Sequence, residues 1–178
     1  QVKGENVFRQ YHLNAEATEN SFTEDGWFKT GDRGIKDENG ALKIVGRLKE
    51  EFKTSSSKYI IPVPIETKLM QSALVEMACV TGSHVAHPYA VIVLTESAPT
   101  NKRDIEAALL QSLSNVNNTL ENHQKLSHII ISQTPWTVEN DLLTPTMKIK
   151  RYQLEKRYRT KGAGQCKLSG VIWESAAN

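Results

Sequence analysis

The chain has 178 residues, of which 39% are apolar and 24% charged, proportions typical of an ordinary globular protein and unlike those of a disordered one. Its formal net charge of +2 is too small to predict attraction to nucleic acid or to a membrane surface. No apolar run approaches the ~20 residues that a membrane-spanning helix needs. The length is enough for one domain with a real core, or for one domain plus a fragment of another.

The first part of the chain predicts turns and one antiparallel hairpin over residues 34–46. The dipeptide at 39–40 is Asn-Gly, which supplies the positive φ values of a tight turn. Beyond that turn, Leu42 and Ile44 alternate with the charged Lys43, as expected of a strand.

Residues 46–53 are dense in charge, and residues 54–57 form a polar run with three serines. Pro62 and Pro64 follow. Serine runs and proline both disfavour helix, so we expect no helix between Thr54 and Pro64 but a loop followed by extended chain.

Beyond this stretch, hydrophobic patterns predict strands and helices in alternation. Strands are predicted at 74–82, 89–95 and within 125–131, helices at 65–71, 102–120 and 151–159, a loop at 132–147, and a further candidate strand at 171–173. The second strand is nearly all apolar and should be buried on both faces. The long helix carries one apolar stripe, made of Ile105, Leu109, Leu113 and Val116.

The predicted fold is therefore α+β, with a β-hairpin followed by a small mixed α/β domain that has about three strands and flanking helices. The composition changes near residues 45–49. We accordingly expect residues 1–48 to be the β-rich end of one domain, residues 49–159 a second domain, and residues 160–178 a tail.

The two cysteines, Cys79 and Cys166, lie far apart in sequence, and Cys79 stands in an apolar run where a buried thiol is the usual state. Neither they nor the five histidines have metal-ligand spacing, so no metal site is predicted and a reducing compartment is favoured. The first residues show neither a signal-peptide pattern nor an initiator methionine, and we expect the sequence to be cut from a longer chain.

Two polar residues flank the predicted hairpin. Asp32 follows Gly31, and a carboxylate at a strand end can accept hydrogen bonds from the hydroxyls of a ribose. Arg47 stands at the other end of the hairpin, and its planar guanidinium suits phosphate or ribose oxygens. Because a hairpin brings its two ends together, Asp32 and Arg47 are predicted neighbours. A plain turn aspartate and a surface arginine remain the alternatives.

Two further segments could bind a ligand. Residues 143–151 place several basic side chains after a loop broken by proline, where they could reach a polyanion. A solvated basic helix face is the alternative. The serine-rich loop at 54–57 could offer hydrogen-bond donors to an extended ligand, and a flexible linker is the alternative there.

Taken in order, the segments resemble the carboxy-terminal part of the adenylate-forming superfamily, which includes acyl- and aryl-CoA ligases, luciferases and peptide-synthetase adenylation domains. The matching segments are residues 26–32, 46–53, 62–66 and 144–151. Residues 58–66 and 143–151 are most similar to long-chain fatty-acid–CoA ligases. The resemblance spans about residues 1–158.

The resemblance implies an enzyme that converts fatty acid, ATP and CoA to acyl-CoA, AMP and pyrophosphate through an acyl-adenylate. In this superfamily the small carboxy-terminal domain swings about a hinge between the two half-reactions. ATP, Mg²⁺ and the co-substrate CoA are implied, with the Mg²⁺ ligands expected upstream of Gln1. The expected partners are these small molecules and the protein's own amino-terminal domain, without nucleic acid. The cytoplasm is the expected location, peripheral membrane contact of the full-length enzyme being left open, and the chain alone is expected to be inactive.

The resemblance also implies residue roles. Asp32 matches the carboxylate that binds the AMP ribose, and Arg47 the arginine beside the ribose and phosphate. Lys49 matches the hinge position, and Lys148 the catalytic lysine that bridges the carboxylate substrate and the α-phosphate. The residues that match the loop lining the pantetheine channel of CoA are Ser56, Ser57, Lys58 and Tyr59.

Two residues depart from the superfamily pattern, because Met147 and Ser57 stand where glycine is usual. Methionine is common at the position of Met147 in long-chain relatives. If the backbone needs a positive φ at Ser57, the Cβ of serine is strained there by about 1 kcal/mol. Two other functions stay open: a sibling adenylating enzyme, such as an aryl-CoA ligase or a carrier-protein-loading domain, and a non-catalytic module that kept the fold.

Overall fold

A computed structural model describes residues 1–163 and 170–174. The chain divides into two compact units, with the division between Lys49 and Glu50. In the described residues no helix is both long and apolar enough to cross a membrane.

The first unit contains the predicted hairpin. Strand β1 (Asp32–Lys36) pairs antiparallel with β2 (Leu42–Arg47), and the pairing register places Asp32 opposite Arg47. Gly40 takes a φ of 84° in the turn, as the Asn-Gly signal predicts, and the carboxylate of Asp37 accepts hydrogen bonds from backbone amides within the turn. The predicted hairpin is therefore confirmed.

A short helix that the sequence pattern did not predict precedes this hairpin. Helix α1 (Ala15–Ser21) begins after Asn14, whose side-chain oxygen accepts a hydrogen bond from the amide of Ala17 at 3.0 Å. None of its seven residues is buried, so it has no apolar stripe for a periodicity argument to detect.

The second unit is built on one four-stranded sheet in the order β5-β6-β7-β8. Its strands are β5 (Val75–Thr81), β6 (Tyr89–Leu94), β7 (Ile129–Ile131) and β8 (Val171–Trp173). β5 is antiparallel to β6, whereas β7 and β8 continue the sheet in parallel. A separate two-stranded hairpin joins β3 (Phe52–Lys53) to β4 (Tyr59–Ile60).

Helices cover both faces of this sheet. Helix α2 (Pro62–Leu69) and helix α3 (Lys102–Asn117) pack on one face through a core that includes the predicted stripe of α3. Helix α4 (Arg151–Ala163) packs on the other face with Trp136 and Leu142 from the preceding loop. β6 is buried against both layers, as its apolar sequence predicts.

The candidate strand at 171–173 is confirmed: it is β8, which pairs with β7 and gives the sheet its fourth strand.

Two details of the predicted fold are wrong. α2 begins at Pro62 rather than at Ile65, because proline is tolerated in a first turn, where the backbone amides have no helical partner. α4 extends to Ala163, so part of the predicted tail belongs to a helix.

Candidate functional site

Asp32 and Arg47 lie side by side at the open end of the first hairpin. The Nε atom of Arg47 is 2.9 Å from Oδ1 of Asp32, and the two residues are paired across the strands. The Leu48 amide donates to the Gly31 carbonyl at 2.8 Å and so extends the pairing past Asp32. The predicted contact is confirmed. Because 56% of the Arg47 side chain is exposed, its guanidinium remains available to a phosphate or a ribose.

The serine-rich loop is a closed hairpin rather than a flexible linker. The Thr54 amide donates to the Lys58 carbonyl at 3.0 Å, and the Ser57 amide donates to the Thr54 carbonyl at 3.0 Å. A neighbouring loop supports it, since the Ser55 amide donates to the Val85 carbonyl at 2.9 Å. All four candidate residues, Ser56, Ser57, Lys58 and Tyr59, are exposed on this hairpin.

Ser57 has a φ of 58° and therefore occupies the left-handed region. A side chain with a Cβ costs about 1 kcal/mol in this region, so the backbone at Ser57 is strained by about that amount. Strained backbone of this kind clusters at ligand-binding segments.

Lys148 lies on a tight turn, called here the Lys148 turn, that spans residues 142–150. Leu143 and Ile149 form a β-bridge, and the Lys150 amide donates to the Leu142 carbonyl at 2.9 Å. Leu142 and Leu143 are buried against the sheet and anchor the turn to the core. The Lys148 side chain is exposed at the tip, and within residues 1–163 and 170–174 it has no hydrogen-bond or ion-pair partner.

The two basic residues after Lys148 are both neutralised. Lys150 forms an ion pair with Asp141, and its hydrogen bond holds the pKa of that carboxyl below the usual range. Arg151 forms ion pairs with Glu66 and with Glu50. The basic residues that the sequence predicts as one patch therefore lie in three different environments. Lys150 and Arg151 are paired with carboxylates, so Lys148 is the cation of this segment that is available to an anionic ligand.

The sequence does not predict the Arg151 network, which consists of Arg151 and the surrounding Glu50, Glu66, Cys79 and Val80. Its members come from four separate segments of the second unit, and no local pattern links them. The one available signal is Glu66, a charged residue on the apolar side of α2, because such a residue needs a buried partner. Burial opposes the charge of Arg151, but Cys79 and the two carboxylates raise the pKa of the guanidinium above its ordinary value.

Lys49 lies in a short 3₁₀ turn, Leu48–Glu50, and is exposed. The division between the two units falls directly after it. A hinge needs a few residues at the end of an element that can change their backbone angles, and this location meets that requirement.

Cys79 is free and buried, as its apolar context predicts, and burial raises its pKa to about 12. A thiol of that kind is inert as a nucleophile. Cys166 lies outside the described residues. Within the part of the chain that the structure describes, no three histidine, cysteine, aspartate or glutamate side chains are grouped closely enough to hold a metal ion.

The AMP-binding enzyme C-terminal domain family matches residues 51–161, which are more than half of the chain. The fold and this match define the class of protein: the chain belongs to the family of AMP-binding enzyme C-terminal domains, within the adenylate-forming superfamily.

Individual relatives are acyl-CoA ligases. The chain is 32% identical over 181 residues to fatty acyl-CoA synthetase A of Dictyostelium discoideum, covering 89% of this chain and 27% of that protein. It is also 32% identical over 178 residues to long-chain-fatty-acid–CoA ligase 5 of Mus musculus, covering 89% and 26%. The chain thus spans about a quarter of the length of these relatives.

A solved structure with a similar fold is the A domain of carboxylic acid reductase from Segniliparus rugosus, in complex with AMP and a co-purified carboxylic acid. The match has a TM-score of 0.75 and 27% identity, covering 89% of this chain and 26% of that one.

Proposed function

We propose that this chain is the carboxy-terminal part of an ATP-dependent, AMP-forming long-chain fatty-acid–CoA ligase. The observation that carries the proposal is the exposed Lys148, which has no side-chain partner among the described residues and lies on a hydrogen-bonded turn whose neighbouring cations are neutralised. The similarity to curated fatty-acid–CoA ligases supports the reaction class. The AMP in the related reductase domain supports the nucleotide.

In the first half-reaction a fatty-acid carboxylate attacks the α-phosphate of ATP, and pyrophosphate leaves. Negative charge accumulates at phosphorus in the transition state. A preorganised cation such as the Lys148 ammonium stabilises that charge, an effect worth about 3–4 kcal/mol at comparable sites. The ammonium also screens the repulsion between the carboxylate and the phosphate.

The other candidate residues receive roles that match their surroundings. The carboxylate of Asp32 accepts hydrogen bonds from the ribose hydroxyls, and Arg47 contacts the ribose and phosphate. In the second half-reaction the CoA thiol attacks the acyl-adenylate and AMP leaves. We assign the pantetheine arm to the exposed hairpin that carries Ser57, and the change between the half-reactions to a rotation at Lys49.

Mg²⁺ would accompany ATP and would neutralise part of the charge of its phosphates. Since the described residues hold no ligand cluster for a metal ion, we propose that residues of the full-length protein outside this chain hold it.

A sibling adenylating enzyme is the second candidate, and the similarity to a carboxylic acid reductase domain favours it. The two candidates differ in the acid and in the thiol acceptor rather than in the adenylation step.

The test uses the full-length protein that contains this chain. We expect ATP–pyrophosphate exchange that depends on a long-chain fatty acid, followed by release of acyl-CoA when CoA is added. Exchange without acyl-CoA release would favour the sibling enzyme. No exchange with fatty, aryl or other carboxylic acids would contradict both and favour the non-catalytic module.

A further inference from the structure

Arg151 is the first residue of α4 and follows Lys148 by three positions. Its side chain is only 13% exposed, and its terminal nitrogens contact three different segments. Nη1 pairs with Glu66 and donates to the Val80 carbonyl at 2.7 Å, while Nη2 is 3.2 Å from the second oxygen of Glu66 and 3.3 Å from Glu50.

Arg151 binds the sheet at its edge, through the Val80 carbonyl. The Ala90 amide donates to the His128 carbonyl at 3.1 Å, so the polar backbone groups of Ala90 face β7. Val80 lies on β5, the edge strand, and pairs with Ala90 of β6. Because the polar backbone groups of Ala90 face β7, the N–H and C=O of Val80 face outward, away from β6. Glu66 accepts from that N–H at 2.7 Å, and Arg151 donates to that C=O. The two side chains thereby fasten α2 and α4 to one residue of the sheet.

This network is poorly explained by stability alone. The Nε of Arg151 is buried and has no acceptor among the described residues, which is unfavourable. Replacing a buried ion pair with well-packed apolar residues is often neutral or stabilising, so a buried pair is weak evidence for a stabilising role. What Arg151 does supply is a defined position for the start of α4, because its planar fork satisfies several acceptors in one geometry.

The Lys148 turn is anchored at both ends. Its first end is buried through Leu142 and Leu143, and Lys150 at its last end is paired with Asp141. Arg151 directly follows and adds the connection to Glu50, which in turn directly follows Lys49 in sequence.

We propose that Arg151 is a positioning residue for the adenylation step, which fixes the Lys148 turn to the sheet edge and to the segment that follows the hinge. The inference rests on the proposed function. It explains why a charged residue is buried at this point, since a displacement of 1 Å at a reacting centre can cost about 100-fold in rate.

The test measures the two half-reactions separately in the full-length protein. In Arg151→Met we expect kcat for acyl-adenylate formation to fall about 100-fold with little change in the KM for ATP. Thioester formation from supplied acyl-adenylate should stay within about 3-fold of wild type, because Lys148 acts in the first step. Arg151→Lys, which keeps the charge but not the fork, should recover about 10-fold of the lost rate.

Arg157→Met is the matched control. Arg157 also lies on α4 and also pairs with a largely buried carboxylate, that of Glu174, at 3.1 Å. Its side-chain hydrogen bonds go to Glu174 and Thr134 rather than to the segments that Arg151 contacts. We expect this variant to change stability without separating the two half-reactions. If Arg151→Met fails to fold, Glu50→Gln carries the same test, since Glu50 is only partly buried and its loss leaves the Arg151–Glu66 pair in place.

Equal losses in both half-reactions of the Arg151 variants, or a wild-type adenylation rate in them, would overturn the inference while the proposed function stands. Absence of pyrophosphate exchange in the wild-type protein would overturn the proposed function, and the inference with it.

Discussion

Lys148 and Thr144 form two hydrogen bonds with each other across the tip of the Lys148 turn. The Lys148 amide donates to Oγ1 of Thr144 at 3.0 Å, and the Thr144 amide donates to the Lys148 carbonyl at 2.8 Å. The backbone of the proposed catalytic lysine is therefore fixed by a side chain and a main-chain contact from one residue, while its own side chain stays exposed.

The hydroxyl of Thr144 can be removed at nearly constant shape. Thr144→Val leaves the Lys148 amide without its acceptor, and we expect unfolding free energy to fall by about 1 kcal/mol, with adenylation reduced about 10-fold. Thr144→Ser keeps the hydroxyl and should retain most of the unfolding free energy and most of the adenylation rate. Denaturant unfolding and pyrophosphate exchange measure the two effects, and equal behaviour of the Val and Ser variants would show that the hydroxyl is irrelevant.

Met147 has a φ of 60° and is exposed, so its side chain contributes little packing to offset the strained backbone. Met147→Gly removes a strain of about 1 kcal/mol at an entropic cost of about 0.5–1 kcal/mol, and should leave stability unchanged or slightly raised. Met147→Val, with a β-branched side chain, should lower it by more than 1 kcal/mol. Urea denaturation measures the stability of the Gly and Val variants. A Met147→Val protein as stable as wild type would contradict a left-handed backbone conformation at Met147.

His128 should make the fold sensitive to mild acid. It is buried and stacked on Tyr89, its Nε2 lacks a partner among the described residues, and burial lowers its pKa to about 4. The unfolded chain therefore binds more protons than the fold between about pH 6.5 and pH 4, so stability falls as the pH is lowered through this range. Near pH 4, the loss of unfolding free energy caused by His128 approaches about 3 kcal/mol.

The pH dependence is measured as unfolding free energy between pH 7.5 and pH 4. His128→Phe keeps a ring against Tyr89 and should flatten the dependence between pH 6.5 and pH 4. Acidic groups with lowered pKa values, such as Glu174, act at lower pH and are common to both proteins. Curves of the same slope for the two proteins would show that His128 does not titrate in this way.

Gly162 allows α4 to approach Tyr89 closely. A Cβ placed on Gly162 would lie 2.2 Å from the Tyr89 ring, closer than side-chain atoms can approach. Gly162→Ala should therefore destabilise by about 1–3 kcal/mol through overpacking, although alanine is the better helix former. Gly170→Ala, where a Cβ would meet nothing within 4 Å among the described residues, is the control for thermal unfolding. A Gly162→Ala protein as stable as this control would contradict the close approach.

Elements with a strong local signal are predictable from this sequence. The hairpin follows from Asn-Gly and alternating residues, and α3 begins after Asn101 and buries the expected stripe. α1, without a buried residue, offers no such signal. β8 is three residues long and takes its partner from β7, about forty residues earlier in the chain, which no local pattern encodes.

The candidate site divides in the same way. Asp32 and Arg47 are predictable as a pair because hairpin geometry joins them. Arg151 and Glu66 are 85 positions apart and meet because two helices cover opposite faces at the same edge strand. Charge and spacing alone do not distinguish Lys148, Lys150 and Arg151. The resemblance to the superfamily singles out Lys148, and tertiary contacts show that Lys150 and Arg151 are paired with carboxylates.

Lys148 is proposed to serve the adenylation half-reaction rather than thioester formation. In the full-length protein, Lys148→Ala should lower ATP–pyrophosphate exchange about 100- to 1000-fold and leave thioester formation from supplied acyl-adenylate near the wild-type rate. Lys156→Ala, which removes another exposed lysine of the same unit, is the control and should change neither rate. Equal loss of both half-reactions in Lys148→Ala, or no loss of exchange, would contradict the account.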